Sequence, residues 1–412
     1  MQFDKLLVFA ILIFLPFDST DYLQFKIAGF QIGAVDITIL VALIVVIMKN
    51  LATQDHIRMA PELMMVMLLA FGISLVSLIW TWPSKLDLKI SLNYLEYIGL
   101  FYIFSQVSKE EAFIENLLRF LLLVVTCLAV LTILKSLGVN LSGRERFETI
   151  PLWIFRIGVV GLEGQFAPFS LFLVAAIPLV WQKNLIRRNW VRSGLNLLFL
   201  TAAIVTGARG LYVSLIALVL ARVYFGYFRR LPGKNKILAI AGLIIGIIIL
   251  ASMSMTFIEL LEKIRPKTVA QRMRNYLLAV DFSTSEFASF LFGYGKSNYV
   301  DRTNVVVHNF LLDILISKGA LTLIINIIIY YIIFHNLMKI EVGSGSNSRD
   351  IKTSLFLGFF GMLIVGQFDA ISTSIIFWTY LAIIYAFTLI TKPIEKNYKL
   401  YGTPRLIRII GN

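Results

Sequence analysis

The chain has 412 residues, of which 58% are hydrophobic and 15% charged, with a net charge of +14. Soluble domains run at about 45–50% apolar and about 25% charged, so the composition excludes a soluble domain. The single cysteine, Cys127, excludes a disulfide framework or a thiol metal site, and its apolar surroundings read as those of a small core residue.

Apolar blocks follow one another along the chain. The opening "MQFDKLLVFAILIFLPF" has the look of a signal peptide, but no A-x-A cleavage site follows, so it reads as a retained first span. About twelve spans are expected, near 5–17, 34–48, 60–80, 91–107, 113–137, 166–182, 194–206, 210–226, 236–257, 308–335, 354–368 and 371–391. The expected fold is therefore an all-α polytopic membrane protein, a single domain over 1–412 without an internal repeat. Within it, 258–307 forms a long extracytoplasmic loop.

Basic loops set the sidedness. The stretches "KNLIRRNWVR" (183–192) and "RVYFGYFRRLPGKNK" (222–236), the loop with Lys339, Arg349 and Lys352, and the C-terminal tail all fall on one side. That side is expected to be cytoplasmic, with both termini on it, and "GSGSNS" (343–348) reads as a flexible linker there. The positive charge is this positive-inside bias and calls for no nucleic-acid partner.

The outer side then carries an anomaly. Loop 258–307 holds Lys263, Arg265, Lys267, Arg272, Arg274, Lys296 and Arg302 where cations are normally scarce. Its stretch "TVAQRMRNYLLAV" (268–280) has helical apolar spacing and is expected to be a short amphipathic helix on the membrane. Arg209, in "TGARGLYVSL", sits in a tight outer turn between Gly207 and Gly210. These arginines serve either lipid headgroups or a bound anionic group. His308 lies on the same side, whereas the second His-Asn pair, His335–Asn336, falls at the cytoplasmic end of the same span. Asn309 and Asp313 are one helical turn apart and would orient an acceptor or the start of the span, and Gly319 would let another span pack closely.

Other chemistries lack their residues. There is no Asp-x-Asp metal clamp, no G-x-x-x-x-G-K-[ST], and no His/Cys/Asp cluster with ligand spacing; "GYGKSN" (293–298) is a turn with a lysine. No cofactor and no metal is expected. One histidine with several arginines suits transfer from a lipid-linked diphosphate. Arginine forks stabilise the departing diphosphate, and a histidine, largely neutral at pH 7, can accept the proton of an incoming hydroxyl.

At these residues the chain resembles the bacterial O-antigen polymerase and O-antigen ligase family. The ligase pattern is His-[Asn/Ser/Gln], nine residues, Gly, two residues, then Gly, Thr or Tyr. His308-Asn309 is followed after nine residues by Gly319, Ala320, Leu321 and Thr322. "TGARGLYVSL" resembles the family's Thr-x-[Ser/Ala]-Arg segment, with Val213 where ligases have leucine. "GLEGQFAPFSLFLVAAIPLV" (161–180) looks like its proline-containing span, and Arg272 with Tyr276 like its arginine with an aromatic four residues on. The resemblance covers about 160–335 by motif.

The resemblance implies an inner-membrane glycosyltransferase with a periplasmic active site. Its donor would be an undecaprenyl-diphosphate-linked oligosaccharide, and a chain-length regulator a further partner beside the membrane lipids. By it, His308 is catalytic, and Arg209, Arg272, Arg274, Asn309 and Tyr276 bind substrate. The favoured reading is a polymerase joining lipid-linked repeat units. The alternative is a ligase acting on lipid A core, and a lipid-linked glycan flippase is a third, disfavoured by the few charges within the spans, chiefly Arg119, Asp313 and Lys318.

Overall fold

The computed structural model describes residues 3–18, 23–27, 30–80, 84–138, 150–152, 155–157, 166–226, 268–340, 346–369, 371 and 373–391. Its helices are α1 (Phe3–Phe14), α2 (Ala34–Thr53), α3 (Pro61–Trp80), α4 (Lys85–Val107), α5 (Glu111–Ser136), α6 (Phe166–Val180), α7 (Asn189–Thr206) and α8 (Arg209–Gly226). Then follow α9 (Thr268–Thr284), α10 (Phe287–Phe292), α11 (Lys296–Thr303), α12 (Phe310–Lys339), α13 (Ser346–Gly366) and α14 (Ile375–Thr391). Two small antiparallel hairpins accompany them, β1 (Gln24–Ile27) with β2 (Phe30–Gly33) and β3 (Ile150–Leu152) with β4 (Phe155–Ile157). Every predicted span coincides with a helix except 236–257, which lies outside the described residues.

Among the described residues, four helices are long and apolar enough to cross a membrane: Ala34–Thr53, Pro61–Ile79, Glu111–Ser136 and Phe310–Lys339. Their outward faces are apolar. α2 exposes Leu40, Ile44, Met48 and Leu51, and α3 exposes Met65, Leu68, Leu69 and Ile79. A soluble bundle would turn polar residues outward at these positions. The expectation of a core cysteine is overturned here. Cys127 is exposed, on the same outward stripe of α5 as Leu123 and Val130. A helix whose every face is apolar gives no sequence cue to which face points inward.

The interior is built around α14, which packs on α4 and α12 and buries its side chains continuously from Ile375 to Thr388. α12 also packs on α3, and α13 packs on α6 and α8. Trp378 of α14 stacks on Tyr97 at 4.5 Å and meets the rings of Tyr94 and Tyr330, so aromatic contacts from three helices fix the centre.

Three expectations about local structure can be set against the fold. Ser346–Ser348, expected in a flexible linker, open α13, where Ser348 donates to Glu111 at 2.6 Å; serine is favoured at helix starts. The amphipathic helix expected over 268–280, α9, leaves Met273, Leu277, Leu278 and Val280 exposed and turns Tyr276 and Ala279 into a second small core. There Ala279, Tyr299, Val307 and Ile316 pack together, and Phe282 lies against Tyr294 and Tyr299 with ring centroids at 4.3 and 5.3 Å. The loop helices thus form a cap seated on the first turns of α12.

The third concerns Gly319. It does more than admit a neighbouring span, because it breaks α12, with φ 79° and ψ 174°. That region of backbone space belongs essentially to glycine. The backbone of Leu291 and Gly293 presses against it, and Tyr294 N–H donates to the carbonyl of Ile316 at 2.6 Å, satisfying one acceptor at the break. The segment following α10 therefore reaches down to the break. Gly319→Ala is expected to lose about 1–3 kcal/mol from backbone strain alone, before the collision with Leu291 and Gly293 is counted. Gly194→Ala on α7, where nothing lies within 4 Å, is the control. Apparent melting temperatures of both variants in nanodiscs should show a loss for the first only.

A buried charge cluster ties the cap to the bundle beside this break. Asp87 Oδ1 accepts the backbone N–H groups of Lys296 and Ser297 at 2.8 and 3.4 Å, so one carboxylate holds the start of α11 as well as the first turn of α4. Lys296 Nζ pairs with Asp313 at 2.8 Å, and Lys318 donates to the Asp87 carbonyl at 3.3 Å and to Ser91 Oγ. Two lysines and two aspartates offset one another in a place where a lone charge would be costly.

Candidate functional site

The site forms where α8 and α12 begin and α13 ends, and each junction has a local cause. Gly207 closes α7 in the left-handed conformation, at φ 68°, so that α8 can start at Arg209. Gly210 then lies against Phe368, since a Cβ there would be 2.8 Å from the Cβ of Phe368. Asn309 caps α12, its Oδ1 accepting from Leu311 and Leu312 N–H at 3.1 Å each. The tight turn after α13, residues 367–369, is where the other elements converge.

His308 Nδ1 faces Asp369 Oδ1 at 3.3 Å, with the side chains 45% and 27% exposed. Both are accessible, yet neither is a free surface group. Tyr276 O–H donates to the His308 carbonyl at 2.8 Å and to the Gln367 carbonyl at 3.3 Å. Arg272, one helical turn before Tyr276 on the same face of α9, donates from Nη1 to the Phe368 carbonyl at 3.4 Å. Asn309 Nδ2 donates to the Gln367 side-chain oxygen at 3.2 Å. Partial burial and the nearby Asp369 push the Tyr276 phenol up, with Arg272 opposing, so it stays a protonated donor.

The predicted residues Arg272, Tyr276, His308 and Asn309 thus meet at one turn, and Arg209 opens the helix packed against it through Gly210. Arg274 does not join them. Two residues from Arg272, it is exposed on another face of α9. His335 lies at the opposite end of α12, where its ring stacks on Tyr331 at 5.3 Å. Asp313, expected beside Asn309 as an orienting group, is buried and engaged with Lys296.

Asp369 is the residue the sequence reading missed. Alternation of the expected spans would put the short segment between 354–368 and 371–391 on the same side as His308, and Asp369 is its carboxylate. A carboxylate at Nδ1 fixes the imidazole tautomer and steadies the cation formed when Nε2 takes a proton. Arg272 reaches the Phe368 carbonyl, and Arg209 precedes the Gly210 that lies against Phe368; arginines are suited to a diphosphate. Among the described residues, no group of three or more His, Cys, Asp or Glu side chains is placed to hold a metal ion. No protein-family model matches the chain, and a search of curated proteins found no match.

Proposed function

We propose that the protein is a membrane glycosyltransferase that takes its glycan from a polyprenyl diphosphate, and that it joins repeat units as a polymerase. The observation that carries this reading is the His308–Asp369 pair, at 3.3 Å, beside a turn whose carbonyls hold Tyr276 and Arg272. It is a general base and a diphosphate clamp at one end of a helix bundle that has membrane-long apolar helices. The resemblance of the His308–Thr322 and Arg209 segments to the O-antigen polymerase and ligase family supports the substrate class.

In this mechanism Arg209 and Arg272 hold the diphosphate of the donor. The acceptor sugar hydroxyl gives its proton to His308 Nε2 as its oxygen attacks the anomeric carbon. The bond from that carbon to the phosphate oxygen breaks, and the lipid diphosphate leaves with the electron pair, stabilised by the guanidinium groups. The proton on His308 then passes to water. Asp369 neutralises the imidazolium in between, and Asn309 keeps the helix start and the turn in register.

The reading is tested by binding of a labelled polyprenyl diphosphate to protein in nanodiscs. Arg272→Ala should weaken it by roughly tenfold or more, the value of one charge-assisted bond of about 1.5–3 kcal/mol, while Arg274→Ala leaves it within about twofold. Equal losses from both would remove the clamp assigned to the inner face of α9. Turnover should also be unchanged by EDTA, because the site offers arginines and a histidine–aspartate pair to the diphosphate. Activity lost in EDTA and restored by Mg²⁺ or Mn²⁺ would contradict this mechanism.

A further inference from the structure

Along the face of α12 beyond its break, the polar side chains Thr322, Asn326 and Tyr330 recur every fourth residue, which places them in one stripe. Lys318 lies just before the break, and all four are buried, at 2% for Lys318 and 0%, 0% and 7% for the others. The stripe faces Ser91, Tyr94 and Tyr97 of α4, which are also buried. Asn326 Nδ2 donates to Tyr94 O–H at 2.8 Å and to the Thr322 carbonyl at 2.8 Å, and Lys318 reaches Ser91. These bonds leave part of the polar inventory over. Thr322 Oγ1, Asn326 Oδ1, Tyr330 O–H and Tyr97 O–H are buried without a hydrogen-bond partner.

Four such groups in one seam, inside an apolar bundle, are more than packing tolerates unless something small and polar meets them. The seam has an opening suited to that. A cavity at its upper end, with room for about one water molecule, is lined by Tyr94, Tyr97, Ser317, Lys318 and Thr373 together with the apolar Ile90 and Ile314, so it adjoins the break at Gly319. The orphaned atoms are a mixture of hydroxyls, which donate and accept, and one amide oxygen, which accepts. Neighbouring Lys318 disfavours a cation, and its ammonium is already held by the Asp87 carbonyl and Ser91 Oγ while Lys296 pairs with Asp313, which disfavours an anion. The neutral ligand that can both donate and accept in so narrow a space is water.

We propose that a row of ordered water molecules binds in this seam, from the cavity beside Lys318 down to Tyr330. From Thr322 to Tyr330 it runs about 12 Å along the helix. It ends blind, because the next residues inward on α12, Ile333 and Leu337, are apolar and fully packed. The waters satisfy the orphaned groups and hydrate the ammonium of Lys318 beside the helix break, where regular backbone bonding stops. Closure at Ile333 keeps this hydration from becoming a leak through the bundle. The seam is independent of the catalytic reading.

Buried tyrosines supply the test. X-ray radiolysis of the full-length protein in nanodiscs makes hydroxyl radicals from bound water, and mass spectrometry reads oxidation at each residue. Tyr97 and Tyr330, at 2% and 7% exposure, should oxidise at least roughly tenfold faster than Tyr380 and Tyr385, which at 2% and 1% are also buried but have their hydroxyls bonded to Leu355 O and Ala60 N. Asn326→Leu, which removes a water partner and fills space, should bring Tyr330 down toward the control rate. Equal oxidation of all four tyrosines in the wild-type protein would overturn the proposal. So would an excess at Tyr330 that persists unchanged in folded Asn326→Leu.

Discussion

His308→Ala is expected to abolish polysaccharide synthesis in a strain lacking the protein, at membrane levels matched to wild type, while His335→Ala leaves it normal. A positioned general base contributes about 10²–10⁴ in rate, enough to erase a polymer ladder. His308 sits beside the 367–369 turn with Asp369 at Nδ1, whereas His335 stacks on Tyr331 at the other end of α12. The two residues have the same neighbour in sequence, an asparagine, and differ in what the fold places against them. Since the His308 carbonyl is what Tyr276 grips, the alanine variant keeps that contact and should insert and fold as before. A normal ladder from His308→Ala would move proton acceptance to Asp369.

The second large effect belongs to Asp369. Asp369→Asn should lower turnover by roughly 10²-fold with little change in apparent donor affinity, because the arginines proposed to hold the diphosphate are untouched. The asparagine amide can present an N–H to Nδ1, which stabilises the tautomer carrying its proton on Nε2 and leaves no lone pair there for the acceptor. Asp369→Glu should recover part of the rate. The readout is kcat and KM for the lipid-linked donor, and a loss seen only in KM would assign Asp369 to binding instead.

How much of this could be read in the sequence depends on the range of each determinant. Helices announced themselves through apolar blocks such as 321–334, since a long uncharged run needs no partner to be recognised. The inner face of α9 was half legible. Arg272 and Tyr276 share it by their four-residue spacing, but Arg274 could be set aside only once Tyr276 was seen on the His308 carbonyl. Gly319 was visible as part of a spacing pattern, but its physical role was not. The backbone of Gly293 and Leu291, from a distant stretch of the chain, lies where a side chain at 319 would be. Asp369 was hidden for a different reason, as one carboxylate in a very short turn carries no motif. The β1–β2 hairpin was overlooked although Phe25, Ile27, Phe30 and Ile32 alternate with polar residues as a strand pair should.

The Asp87 cluster shows the same limit. Asp87, Lys296, Asp313 and Lys318 come from three separated segments, and only the folded chain shows that they offset one another. Read singly, a charge near a span suggests a transport path; together these four fasten the cap that carries Arg272 and Tyr276 to the helix that follows His308.

The most direct test of the central claim is turnover by the purified protein in nanodiscs, supplied with polyprenyl-diphosphate-linked repeat units alone. Products are read by mass spectrometry as longer lipid-linked glycans and released polyprenyl diphosphate. Stepwise chain growth is expected, with one lipid diphosphate released per bond formed, and it is lost in His308→Ala. Product formed only when a lipid A core is added would replace polymerase by ligase at the same site, and no lipid diphosphate released under either condition would contradict glycosyl transfer altogether.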